Sequence, residues 1–237
     1  GVMPTGAGKS LVYQVPALVS PGLTVVVSPL ISLMKDQVAA LTGAGVPAAC
    51  LNSSLTAAEQ AEAFAFVASG ACKLLYVAPE RLDTPRLQEL VRRVPVGLVA
   101  VDEAHCVSQW GQDFRPSYLG ISAFIEGLPV RPTVAALTAT ATDDVRRDIA
   151  QALDLHDPFT LVSGFDRTNL YFGVERPEPR DKQRTLLRLV GARASRERDP
   201  GGAAAGQTGI VYCSTRNAVE EVCDLLLDEG FAATRYH

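Results

Sequence analysis

Five short runs of apolar and β-branched residues, each followed by a longer amphipathic stretch, constrain this chain more than any other feature. The runs at 23–28, 48–52, 73–78, 97–102 and 133–138 are nearly continuous in apolar residues. Such runs suit strands of a parallel sheet that is covered on both faces. Helix patterns near 10–20, 31–43, 56–69, 86–94 and 143–153 alternate with them. Strand, helix and strand in repeated order predict a doubly wound α/β domain. In that architecture ligands gather beyond the C-terminal ends of the strands. Residue Thr142, directly before the last of these helices, reads as its N-cap.

The first domain is expected to span 1–162. A second, incomplete unit is expected at 163–237, with strands at 169–174 and 209–213 and helices at 181–192 and 216–229. Between them, 195–208 is rich in Arg, Gly and Ala and reads as a flexible loop. The chain opens at Gly1, directly inside a phosphate-binding pattern, without the strand expected ahead of it, and so reads as a fragment.

Composition narrows the class. The chain has 237 residues, 47% hydrophobic and 20% charged, which is globular usage. It has no apolar run of roughly 18–20 residues and no signal-peptide pattern, so the expected setting is cytoplasmic, with no membrane partner. The five cysteines are widely spaced and contain no C-x-x-C pair, so reduced thiols are expected and no zinc. A net charge of −4 is low for a nucleic-acid binder and requires any basic footprint to be confined to one cleft.

Two motifs carry chemistry. The segment Met3-Pro4-Thr5-Gly6-Ala7-Gly8-Lys9-Ser10 runs straight into a helix. Backbone N–H groups of such a loop and the helix N-terminus form an anion nest. Thr5, Gly6, Ala7, Gly8, Lys9 and Ser10 are therefore the candidate nucleotide contacts. Lys9 would reach the β and γ phosphates and Ser10 would ligate magnesium. The strict pattern has Gly where Met3 stands. About ninety residues later, Asp102 and Glu103 follow an apolar strand. Asp102 can hold magnesium through water opposite Ser10, and Glu103 can polarise the attacking water.

The sequence Asp102-Glu103-Ala104-His105 after such a loop resembles superfamily 2 helicases of the DEAH-box type. Its continuation, Cys106-Val107-Ser108-Gln109-Trp110-Gly111-Gln112-Asp113-Phe114-Arg115-Pro116, resembles the aromatic-rich loop of the RecQ family. The resemblance implies a RecA-like, P-loop NTPase fold followed by the start of a second RecA-like domain. It implies an ATP- and Mg2+-dependent DNA helicase that moves 3′ to 5′ on single-stranded and forked DNA in repair and recombination. In a bacterium, the setting would be nucleoid-associated. Trp110, Phe114 and Arg115 would couple DNA binding to hydrolysis, since aromatic faces stack on bases at roughly 1–3 kcal/mol each. A core role is the alternative for Trp110 and Phe114; their Gly- and Pro-punctuated, polar surroundings favour exposure. Gln112 stands where the family commonly has His.

Further segments match in order. Val27 to Gln37 looks like motif Ia, with Ser28 and Pro29 toward the DNA backbone. Tyr76 to Leu82 looks like motif Ib, with Arg81. Ala136 to Thr142 resembles motif III, where Thr138 and Thr140, with His105, would link nucleotide to DNA. Gly164 to Leu170 resembles the family's entry to the second motor domain, with Thr168 where Pro is commoner. Ile210 to Arg216 resembles motif IV, with Ser214. In the family the arginine finger follows these motifs, so the isolated 237 residues are expected to turn over ATP very slowly. An RNA-directed superfamily 2 ATPase and a non-catalytic binding module are the alternatives.

Overall fold

A computed structural model describes residues 1–111, 113–163, 170–194 and 208–236. The chain divides into two compact units, 1–167 and 168–237.

In the first unit, helices α1 (Leu11–Val19), α2 (Ile31–Gly43), α3 (Ala57–Ala68), α4 (Pro85–Arg93), α5 (Gly120–Glu126) and α6 (Asp143–Ala152) alternate with five strands. These are β1 (Leu23–Val27), β2 (Ala48–Leu51), β3 (Leu74–Val77), β4 (Val96–Val101) and β5 (Thr133–Ala136). All pair in parallel, in the order β2-β3-β1-β4-β5. Every strand predicted for this unit forms, and none of their ends moves by more than two residues.

The central strand shows why. All five residues of β1, Leu-Thr-Val-Val-Val, are buried, and alternate side chains serve two different cores. Val25 and Val27 join Leu75, Val77, Val99 and Val101 beneath Leu87, Ile121, Phe124 and Ile149. Val26 joins Leu74, Tyr76 and Ala100 on the other face, against Tyr13, Ala17 and Met34. Each fully buried apolar side chain of this size contributes roughly 1.5–3 kcal/mol, so both parities favour apolar residues, with Thr24 the one buried hydroxyl in β1. Helix starts are set by local chemistry. Thr56 and Glu59 close a reciprocal capping box on α3, at 2.7 and 3.2 Å. Thr142 Oγ1 accepts from Val145 N–H at 3.3 Å to cap α6, as its position predicts.

The second unit holds helices α7 (Lys182–Ala194) and α8 (Arg216–Asp228), both near their predicted bounds. The strands expected at 169–174 and 209–213 do not form among the described residues: 170–174 and 208–213 lie in no ladder. Tyr171, Phe172 and Tyr212 are 85–91% exposed. Apolar, β-branched composition supplies only half of a strand; the other half is a neighbouring backbone, and none among the described residues pairs with these segments. The segment 164–169, most of loop 195–208, and Gln112 lie outside the described residues. No helix of the described residues is long and apolar enough to cross a membrane.

Candidate functional site

The phosphate-binding pattern folds as an open loop capping α1. Gly6 and Gly8 take φ of 82° and 83°, left-handed values that glycine adopts without steric cost. A Cβ on Gly6 would meet no atom within 4 Å, so the mouth of the loop is clear. Thr5, Gly6 and Ala7 are exposed; Gly8, Lys9 and Ser10 are half-buried. The loop is tightened by Ala7 N–H donating to the Pro4 carbonyl at 3.1 Å. Lys9 Nζ donates across it to the Met3 carbonyl at 3.3 Å. A clear, left-handed loop with an inward lysine and a helix N-terminus behind it fits a polyphosphate. Tyr13, whose N–H donates to the Ser10 carbonyl at 3.3 Å, is buried, and burial pushes its phenol well above its usual range.

The second half of the site comes from β4, which lies beside β1 in the sheet. Asp102 N–H continues that pairing onto the Val27 carbonyl at 2.9 Å, leaving its carboxylate just past the strand end. Asp102 is 8% exposed. Burial, then the neighbouring Glu103 charge, raises its carboxyl above the ordinary value, while the Glu103 N–H, Lys9 and His105 oppose the rise. Such a carboxylate is held ready for a cation, and Asp102 with Ser10 would hold magnesium here. The sign of the stability effect follows directly. An acid whose pKa is raised by folding favours the fold when protonated, and that contribution is lost as pH rises through the folded value. Asp102→Asn is therefore expected to raise the neutral-pH Tm of the chelator-treated chain by a few degrees, with the gain shrinking toward acid pH. A thermal scan of both proteins with chelator at two pH values checks this; a lower Tm for the Asn variant at pH 7 refutes it.

Glu103 sits in the left-handed region, at φ 48° and ψ 46°. Its N–H donates to Asp102 Oδ1 at 3.0 Å. Its carboxylate lies 3.3 Å from His105 Nδ1. The same ring nitrogen is 2.8 Å from Thr138 Oγ1, 33 residues away in sequence. Thr138 is buried, and its hydroxyl is hydrogen-bonded to both the carbonyl and the N–H of exposed Thr140, at 3.1 and 3.3 Å. One chain of polar contacts thus joins Glu103 to the segment after β5. Sequence reasoning did not find Tyr118. It is fully buried and its hydroxyl donates to the Asp102 carbonyl at 2.9 Å, pinning the turn that carries both carboxylates. No local pattern marks it, because the contact is made only once β4 and the 3-10 turn at Pro116–Leu119 are packed.

The aromatic-rich segment leaves that turn. Trp110 is 81% exposed, and Phe114 is half-buried. Arg115 is ion-paired to Asp113 at 2.9 Å and donates to the Pro29 carbonyl at 3.2 Å, so this segment touches the loop after β1. Arg81 donates to the Asn52 carbonyl at 3.3 Å, joining the loops after β2 and β3. Ser28 is 2% exposed, and among the described residues its hydroxyl is buried without a hydrogen-bond partner. Ser214 is exposed just ahead of α8 and belongs to the second unit. Lys9, Ser10, Asp102, Glu103, His105 and Thr138 therefore gather around the ends of the central strands. Trp110 and Arg115 lie on the adjoining loop.

Comparison with known proteins places the chain in a family. Residues 1–148 match the DEAD/DEAH box helicase family. The whole chain is 43% identical to an ATP-dependent DNA helicase RecQ from Bacillus subtilis, covering 38% of that protein. It is 43% identical over 99% of its length to an ATP-dependent DNA helicase Q5 from mouse, covering 24% of that protein. Helicase Lhr from Mycobacterium smegmatis, solved bound to ssDNA and AMP-PNP, aligns over 97% of this chain and 32% of that one. The TM-score is 0.58 at 18% identity, a likeness of fold. The chain spans between a third and two-fifths of the first curated relatives it matches.

Proposed function

The chain belongs to the DEAD/DEAH box helicase family, and from that premise we propose that it is the ATP-hydrolysing part of a RecQ-type DNA helicase. The observation that carries the reading is the contact chain from Glu103 through His105 to Thr138, beside the phosphate loop. Lys9 and the loop N–H groups bind and orient the β and γ phosphates. Ser10 and Asp102 would hold magnesium, which would supply neutralisation of developing phosphate charge. Glu103 accepts a proton from the attacking water, within reach of His105. Any change at His105 reaches Thr138, and through Thr140 the surface. Exposed Trp110 stacks on a base, and Arg115 connects that event to the loop after β1.

In the intact protein we infer that these parts drive 3′-to-5′ movement on single-stranded and forked DNA, in repair and recombination. The relatives' names, ATP-dependent DNA helicases, support the reading.

The test is DNA-stimulated ATP hydrolysis by the intact protein carrying this chain, with single-stranded DNA and RNA compared. Trp110→Ala removes one stacking platform worth roughly 1–3 kcal/mol, so the DNA concentration for half-maximal stimulation rises about 5- to 150-fold. Basal turnover stays constant. Equal stimulation by RNA, or an unchanged DNA requirement in the variant, defeats the DNA reading.

A further inference from the structure

The turn after β4 brings together three ligand-type side chains that the nucleotide chemistry leaves unused as a set. His105 Nε2 lies 3.9 Å from Cys106 Sγ. Cys106 Sγ lies 3.8 Å from Asp113 Oδ2. All three ligand atoms fall within 4.8 Å of one another, and among the described residues no other His/Cys/Asp/Glu trio gathers this closely. Zinc–ligand bonds of about 2.0–2.3 Å in tetrahedral array put neighbouring ligand atoms roughly 3.3–3.6 Å apart. A contraction of a few tenths of an ångström at the two thiol contacts, with Asp113 turning toward His105 from within 4.8 Å, would close the set. Widely spaced cysteines concealed it, because its ligands are one thiol, one imidazole and one carboxylate.

We propose that His105, Cys106 and Asp113 form a binding site for a soft divalent cation, zinc above all, and that its occupancy silences the neighbouring hydrolysis centre. Three further features fit. The other ring nitrogen of His105 faces the Glu103 carboxylate at 3.3 Å and the Thr138 hydroxyl at 2.8 Å. Metal-bound histidines use that outer partner to fix the tautomer and orient the ring. Second, the donor set of thiolate, imidazole and carboxylate is one zinc accepts, with the thiol proton lost to solvent and a water completing the tetrahedron. Third, there is a way in: Cys106 is fully buried, whereas the Asp113 side chain is 53% exposed.

The functional consequence rests on the hydrolytic role given to Glu103. A cation on Nε2 makes Nδ1–H a stronger donor and draws the Glu103 carboxylate onto the imidazole, away from water. It also competes with Arg115, whose Nε and Nη2 both donate to Asp113 Oδ2 at 3.2 and 2.9 Å. A metal-held Asp113 releases Arg115 from its ion pair, and the aromatic-rich segment loses that brace.

Cobalt serves as the spectroscopic probe. Titrating Co2+ into the 237-residue chain is expected to give a near-ultraviolet thiolate-to-metal band with about one ion per chain, displaced by Zn2+. Cys106→Ser abolishes the band, and Cys50→Ser and Cys213→Ser leave it unchanged. Asp113→Asn weakens Co2+ at least tenfold, and being exposed it decides the matter even where Cys106→Ser fails to fold. No thiolate band, or an unaltered affinity in Asp113→Asn, overturns the site. In the intact protein, Zn2+ is expected to cut DNA-stimulated ATP turnover at least tenfold, and Asp113→Asn to blunt that cut. Full turnover with zinc bound overturns the regulatory half. Absence of ATP turnover in zinc-free protein supplied with Mg2+ and single-stranded DNA overturns the hydrolytic reading instead, with the cobalt result standing by itself.

Discussion

Replacing Glu103 by Gln is expected to lower DNA-stimulated ATP turnover of the intact protein by about 10²–10⁴-fold, the usual contribution of a positioned general base, while ATP is still bound. Glutamine keeps the size and the hydrogen-bonding reach of the side chain but cannot take the proton from water. The backbone at this position argues that its placement is imposed. A non-glycine residue in the left-handed region costs about 1–3 kcal/mol unless its surroundings hold it there. Here Glu103 N–H is fixed on Asp102 Oδ1, and the preceding carbonyl is fixed by the buried Tyr118 hydroxyl. The variant should therefore fold and bind nucleotide like the parent. Steady-state turnover of the intact protein with single-stranded DNA, beside equilibrium binding of a fluorescent ATP analogue, separates the two. Normal turnover would remove Glu103 from the chemistry.

Gly111→Ala is expected to be nearly as damaging to coupling, although it touches neither nucleotide nor base. A Cβ there would lie 2.6 Å from the His105 carbonyl oxygen and 3.2 Å from that of Ser108. Both obstacles are backbone, so no rotamer relieves them. The aromatic-rich segment must lift away from the turn that carries His105. That breaks the Gly111 N–H to Ser108 carbonyl bond at 3.1 Å and strains the Arg115 N–H to Cys106 carbonyl bond at 2.9 Å. Overpacking of this kind costs about 1–3 kcal/mol of stability. Stimulation by DNA should fall more than about tenfold, because His105 and Trp110 lose their fixed relation, while unstimulated turnover persists. A variant with parental Tm and parental stimulation would show that the close approach carries no coupling.

What the sequence disclosed follows from where the physical constraint was local. The strands were readable because β1 and its neighbours are buried on both faces, which favours a nearly continuous apolar run there. The phosphate loop and the Asp102–Glu103 pair stood out as candidates because few residue types can bind phosphate or hold magnesium. Helix α5 was not: its seven residues begin at Gly120 and are followed by Gly127, and its apolar face is defined by the cores it completes. Nor was the burial of Ser28, since position at a strand end does not say which side its hydroxyl faces. The meeting of His105 with Thr138 depends on β4 lying beside β5, a fact of topology rather than spacing. The unformed strands at 170–174 and 208–213 erred in the opposite direction, with propensity present and no partner among the described residues.

The central place of β1 also bears on how the chain reaches this structure. Val25 pairs with Leu75 on one side and Val99 on the other, although it is followed directly in sequence by α2 and β2. High contact order of this sort makes folding slow, because long loops must close before the pairing rewards them. During synthesis, the phosphate loop emerges ahead of all five strands but has no facing carboxylates until residue 103 has been added and β4 has docked. Competence to bind magnesium–nucleotide should thus arise late and all at once, and ATP can act as a ligand that pulls the finished fold from its precursors.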